Sequence, residues 1–129
     1  MKKKKYIIAL TFCLIILFLL LRKWNVDIYM ESVAERPHDK IDLKVMINDN
    51  IAFNDTLQKN PFSFPTHIVH PMRIGFHTIS VSSKMGNFQQ SQEIFVFFNY
   101  HIALYYGGDP TKNTAGVFIV TRAGIFAYE

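Results

Sequence analysis

The sequence predicts an all-β domain, an antiparallel β-sandwich or related Greek key, behind one N-terminal transmembrane helix. Three observations predict it. An uncharged apolar run occupies Ile7 to Leu21. About eight short β-prone runs follow, separated by turn-forming residues. No amphipathic helical pattern lies between those runs, which leaves sheet packed on sheet as the way to bury their apolar faces. A closed barrel is the alternative arrangement of the same strands.

The apolar run carries one polar side chain, Thr11. As a helix, fifteen residues span about 22 Å, against a hydrocarbon core of roughly 30 Å. Lys5 and Arg22 can extend their charged heads to the interface, and Trp24 favours the headgroup region, so a helix from about Lys5 to Trp24 is long enough. Lys2, Lys3, Lys4, Lys5 and the terminal amine precede the helix, and Arg22 and Lys23 follow it, a bias that keeps the N-terminus in the cytoplasm. The expected organisation is a basic cytoplasmic tail over residues 1–5, a signal anchor over 6–24, a linker over 25–40 and an extracytoplasmic domain over 41–129. That places a single-pass protein in the cell membrane, with its domain in the periplasm if the source is Gram-negative. A cleaved signal peptide competes, because Ser32-Val33-Ala34 resembles a cleavage site. It lies well beyond Leu21, behind four charged residues, which favours a retained helix. Phe12 directly before Cys13 argues against lipidation there.

Charge and cysteine content exclude several classes. Six of the fourteen basic residues flank the helix, and from Trp24 onward eight Lys and Arg face ten Asp and Glu. That balance of −2 gives no field for attracting phosphate backbones, so no nucleic-acid partner is expected. The single cysteine, Cys13, is inside the helix, so the domain holds no thiol for a disulfide, a metal or a nucleophilic attack.

Within the exported part, residues 25–40 fit both a helical spacing (Val26, Tyr29, Met30, Val33) and a strand spacing (Val26, Ile28, Met30). Pro37 closes that segment. Ile41, Leu43, Val45 and Ile47 alternate with polar partners and Met46, the clearest strand. Asn48-Asp49-Asn50 is a turn from which Ile51 to Phe53 folds back, and Asn54-Asp55 reads as the next turn. Phe62 to Val69, interrupted by Pro65, belongs at a sheet edge. Gly75 to Ser83 alternates again and ends in the turn Lys84-Met85-Gly86-Asn87. The continuous apolar run Ile94 to Phe98 reads as a central strand covered on both faces. His101 to Tyr106 is a further strand, Gly107-Gly108-Asp109-Pro110 a loop, and Val117 to Thr121 with Ile125 to Tyr128 a last hairpin.

The stretch Met72-Arg73-Ile74-Gly75-Phe76-His77-Thr78-Ile79-Ser80-Val81, followed by Gly86-Asn87, resembles the late-strand signature of bacterial immunoglobulin-like domains. The resemblance implies an immunoglobulin-like sandwich acting as a binding or spacer module. Such a domain normally ends after the strand at Ile94 to Phe98, whereas here about thirty residues follow.

No catalytic, cofactor or metal site is expected. On a strand His67 and His70 point to opposite faces, and His38, His77 and His101 have no Cys to complete a zinc set. The Asx cluster from Asn48 to Asp55 lacks the glycine and closing glutamate of an EF-hand loop. No Gly-x-Ser-x-Gly elbow occurs, and Glu93 is the only acid between Asp55 and Asp109, too few for a carboxylate pair. Phe95, Phe97, Tyr100, Tyr105, Tyr106, Phe118, Phe126 and Tyr128 are expected mostly in the core. Tyr100, Tyr105, Tyr106 and Tyr128 are the candidate ligand or partner surface. The expectation is therefore a non-enzymatic accessory module that binds another envelope protein, with carbohydrate binding through tyrosines as the alternative and a small envelope enzyme behind that.

Overall fold

The computed structural model describes residues 2–33, 40–58, 65–98, 100–107 and 116–123. Helix α1 spans Lys2–Leu21. Twenty residues at 1.5 Å each make it about 30 Å long, and no residue of its apolar window is buried against the described rest of the chain. It is long and apolar enough to cross a membrane. Thr11 Oγ1 donates to Ile7 O one turn back (2.9 Å), which satisfies the one polar side chain of the run.

Eight strands follow among the described residues: β1 Lys23–Ser32, β2 Lys40–Ile47, β3 Asn50–Gln58, β4 Thr66–Arg73, β5 Gly75–Ser83, β6 Phe88–Val96, β7 Tyr100–Gly107 and β8 Gly116–Ala123. They form two four-stranded sheets, ordered β4-β1-β7-β8 and β3-β2-β5-β6. Neighbouring pairs are antiparallel except β1 and β7, which run parallel. One hydrophobic cluster draws from both sheets, so they pack face to face. The β1 sheet contributes Val26, Ile28, Met30, Met72, Ile102, Leu104, Tyr106 and Val117. The β2 sheet contributes Ile41, Leu43, Val45, Ile47, Leu57, Ile79, Val81, Ile94 and Val96. Each such side chain contributes about 1.5–3 kcal/mol on leaving water.

Several expectations are corrected. Trp24 does not extend the helix: α1 stops at Leu21 and β1 starts at Lys23. Residues 25–32, expected within a linker, are strand in the middle of the β1 sheet, because Val26, Ile28 and Met30 fill one buried face. Helix α1 therefore meets the domain directly. Trp24 Nε1 donates to Leu19 O (3.2 Å), one of the carbonyls that a helix end leaves free, and the Arg22 guanidinium lies 5.0 Å from the Trp24 ring centre.

Asn54-Asp55 is not a turn, since β3 runs through it. Asn48 and Asp49 both adopt positive φ (48° and 64°), a two-residue turn whose twist suits a hairpin, and it sets a register that continues from Ile47↔Asn50 to Lys40↔Gln58. Ladder pairing outweighs the local preference of two Asx residues, and a register shift at Val45/Met46 absorbs the irregularity.

The run Ile94 to Phe98 is not central: β6 is an edge of the β2 sheet. Ile94 and Val96 point inward, whereas Phe95 and Phe97 are about half exposed. Phe95 instead meets its cross-strand partner Phe76 edge to face, 5.0 Å between centroids. Among the described residues the fully buried core holds one aromatic side chain, Tyr106, and Phe118 is likewise exposed.

The edge position of β4 agrees with its prolines, Pro65 just before it and Pro71 within it. Between β4 and β5 only Ile74 intervenes as the chain changes sheet. Gly75 takes φ 136° at that corner, a conformation that a side chain would strain. The expected turn at Lys84 to Asn87 is present, while Ile125 to Tyr128, Phe62 to Phe64 and Gly108 to Pro110 fall outside the described residues.

Candidate functional site

Strand alternation decides where the candidate tyrosines go. On β7, Ile102, Leu104 and Tyr106 face the core, so Tyr100 shares their side and Tyr105 takes the other. Tyr106 is 3% exposed and stacks on Phe88, 5.7 Å between centroids, so it belongs to the interior and not to a ligand surface. Tyr100 is half-buried against the core. Only Tyr105 joins the outward face, and Tyr128 lies outside the described residues. Among the described residues, Tyr100, Tyr105 and Tyr106 therefore do not form one platform.

The outward face of the β1 sheet gathers a different set. Odd-numbered residues of β1 point out, and their register places Tyr29 beside His67 of β4 and Asp27 beside His101 of β7. His67 Nε2 donates to Asp27 Oδ1 at 2.7 Å. The Tyr29 ring stacks on His67, with centroids 4.7 Å apart, and lies 6.3 Å from His101. His101 Nδ1 is 3.6 Å from Asp27 Oδ2, beyond hydrogen-bond range, and is buried with no partner among the described residues. On β8 the same face carries Phe118 opposite Tyr105, Val120 opposite Ala103 and Arg122 opposite His101. Phe118 is 71% exposed.

This arrangement is a flat patch: a rigid polar centre of Asp27, His67 and His101, stiffened by ring stacking, beside an apolar strip of Phe118 and Val120. Among the described residues no three of His, Cys, Asp or Glu are arranged to hold a metal ion. What such a patch can do chemically is bind, through apolar area at one side and hydrogen-bonding groups at the other.

None of Asp27, Tyr29 or His67 was singled out by sequence reasoning as a surface residue. The signal existed in the strict alternation of Asn25, Asp27, Tyr29 and Glu31 with Val26, Ile28 and Met30, which is as regular as that of β2. His67 and His101 required the register, which pairs strands forty and seventy-odd residues away from β1.

Two surface cavities lie at opposite ends of the sandwich. One, of about 410 Å³, sits by the β5–β6 turn and includes Asp42, Lys44, Ser83 and Lys84. Asp42 accepts hydrogen bonds from Ser83 Oγ, Lys84 N and Met85 N at 2.8–2.9 Å. Partial burial raises its carboxyl pKa, but the backbone donors of Met85 and Lys84 and the Ser83 hydroxyl together outweigh that and hold it below the usual carboxylate value. Asp42 is thus the tie that closes this turn. The other, of about 450 Å³, is lined by Lys23, His70, Arg73 and His77 among others, beside the end of α1. There burial, then the neighbouring His77 and Lys23, push the His70 pKa down.

Compared with protein families, curated proteins and solved structures, the chain matches none.

Proposed function

We propose that this protein is a membrane-anchored, non-enzymatic binding module of the cell envelope, and that it engages another envelope protein through the outward face of its β1 sheet. One observation carries the reading. Phe118 and Val120 project from β8 to solvent beside Tyr105 and the ordered Tyr29, His67 and Asp27 group, and neither belongs to the described core cluster. Exposed apolar area next to fixed polar groups is the anatomy of a protein interface.

Docking by face is favoured over strand addition at the β8 edge. Gln90, on β6, uses its Nε2 to donate to Val117 O (2.8 Å), and its Oε1 accepts from Val117 N (3.4 Å). A side-chain amide thus already occupies the backbone groups that an added strand would need there. The immunoglobulin-like type belongs to the same proposal, supported by the Gly75 corner and the Gly86-Asn87 turn of the β5–β6 hairpin. The strands β7 and β8 extend it. An extracytoplasmic domain, proposed from the basic residues that open α1, follows the charge bias described above.

The test is a photo-crosslinking amino acid at position 118 or 120 of the full chain in its native membranes, with position 44 on the other sheet as reference. A discrete adduct with one envelope protein from 118 or 120 and none from 44 is the expected result. Equal labelling from all three positions would remove the reading.

A further inference from the structure

At the end of the sandwich where α1 joins, positive charge gathers at a cavity whose described lining holds no carboxylate, Asp49 lying in the turn between the lining residues Asn48 and Asn50. Lys23 and Arg73 are direct cross-strand partners on β1 and β4. Like charges so placed repel and cost stability unless an anion lies between them. Neither forms an ion pair with a described carboxylate, and no Asp or Glu is among the residues lining the cavity they share with His70 and His77.

The side chains of His77, Asn48 and Asn50, which also line this cavity, are engaged in hydrogen bonds. His77 Nε2 donates to Arg73 O and its Nδ1 lies 2.7 Å from Asn48 Nδ2, the first contact also 2.7 Å, so that ring is held in place. Asn48 Oδ1 accepts from Thr78 N (3.0 Å). These bonds lock the β2–β3 turn against β5 and give the cavity a rigid wall, leaving the ammonium of Lys23 and the guanidinium of Arg73 free to bind. The distal cavity of similar size also has two lysines, but there Asp42 supplies negative charge.

Position supplies the ligand. Lys23 is two residues past the last residue of α1, so it lies within about 7 Å of the helix end along the chain. Around the same end Ile51, Phe76, Phe95 and Phe97 are exposed, Phe76 by 71%. Trp24 meets Phe98 edge to face at 4.9 Å. Aromatic rings and basic side chains at this level are what a headgroup layer accommodates.

We infer that the cavity between Lys23 and Arg73 binds the phosphate of an anionic phospholipid, with the surrounding aromatic collar seated in the interface, so that the domain rests on the membrane at a fixed tilt. The inference rests on the reading of α1 as a membrane span.

The full chain in detergent is titrated with short-chain phosphatidylglycerol, with short-chain phosphatidylcholine and with inorganic phosphate, following the fluorescence of Trp24, the only tryptophan. Saturable binding of phosphatidylglycerol alone is expected. The double variant Lys23→Gln, Arg73→Gln should weaken it about tenfold or more, and the charge-retaining pair Lys23→Arg, Arg73→Lys should keep it. Lys44→Gln with Lys84→Gln, at the distal cavity, should leave it unchanged. Equal affinity for inorganic phosphate, equal response to phosphatidylcholine, or an unaffected Lys23/Arg73 variant would each overturn the inference. Carbonate extraction of membranes separates the two levels: a chain that stays in the pellet but fails to bind loses only the lipid site, whereas a chain released to the supernatant loses the span itself.

Discussion

The two sheets have interchangeable inward faces and unlike outward faces. Inside, both present alternating Val, Ile, Leu and Met to one cluster. Outside and away from the anchor, the β2 sheet shows Lys44, Thr78, Ser80, Ser82 and Ser91, with Ser80 and Ser91 sharing a hydroxyl hydrogen bond of 2.9 Å. The β1 sheet shows Asp27, Tyr29, His67, Phe118 and Val120. Solubility alone asks for the first kind of face. The second exceeds what folding or solubility requires, and it is there that binding is assigned.

If the inward faces are equivalent, cavities made in either sheet should cost alike. Leu43→Ala in β2 and Leu104→Ala in β7, both buried, should each lower unfolding free energy by about 2–5 kcal/mol, read by urea denaturation of the full chain in detergent. A cost under about 1 kcal/mol for only one of them would show that the two layers do not share a single core.

Next in size is Asp42→Ala, which removes three hydrogen bonds at the distal turn. A loss of about 1–2 kcal/mol is expected, discounted for the solvent that reaches the carboxylate. Its pH dependence has a definite sign. The folded pKa lies below the ordinary aspartate value of 3.8, so the stabilisation is present above 3.8 and disappears as pH falls through the folded value. The variant should therefore lose less stability on acidification than the parent. Identical acid limbs would mean that the turn does not depend on the charge.

Much of this architecture was legible because one-sided strands write a period of two into the sequence. Ile41 to Ile47 and Gly75 to Ser83 came out as read, and the Asn48-Asp49 turn declared itself through residues that tolerate positive φ. What misled was local composition at edges. A run of apolar residues such as Ile94 to Phe98 reads as buried on both sides, yet the Phe95 ring packs on Phe76 and the Phe97 ring on Phe98 near the end of α1, which periodicity cannot show. Asn54-Asp55 carries turn chemistry that a long-range ladder overrides. The candidate surface was the least legible part. Adjacent tyrosines such as Tyr105 and Tyr106 must point opposite ways on any strand, so only one could have been exposed, while Asp27, His67 and His101 meet through pairings between distant segments.

A smaller change in stability, with a large change in binding, should separate the two outward faces directly. Phe118→Ser should alter stability by less than about 0.5 kcal/mol, since the ring contributes little buried area, yet abolish the crosslink from position 120. Ser80→Ala on the other sheet should alter neither. Loss of the crosslink in both variants would place the partner on neither face specifically.

The finest effect concerns His70, which lies between the anchor end and the interior. Its folded pKa is below the ordinary histidine value of 6.5, chiefly through burial and then through His77 and Lys23, with Arg73 also lining the cavity. The neutral form is therefore the one that folding favours. Its contribution is intact above pH 6.5 and lost as pH falls through the folded value, because the unfolded chain takes up the proton first. Replacing it by His70→Gln should flatten the decline in urea midpoint between about pH 7 and 5. A bound phosphate beside Lys23 and Arg73 would offset the repulsion felt by a protonated His70 and raise its folded pKa towards the ordinary value. The decline in the parent should then be shallower in phosphatidylglycerol bicelles than in phosphatidylcholine bicelles. The His70→Gln variant should show no such difference. Equal slopes for the parent in both lipids would mean that no anion sits near this ring, and the charge at the anchor end would need another explanation.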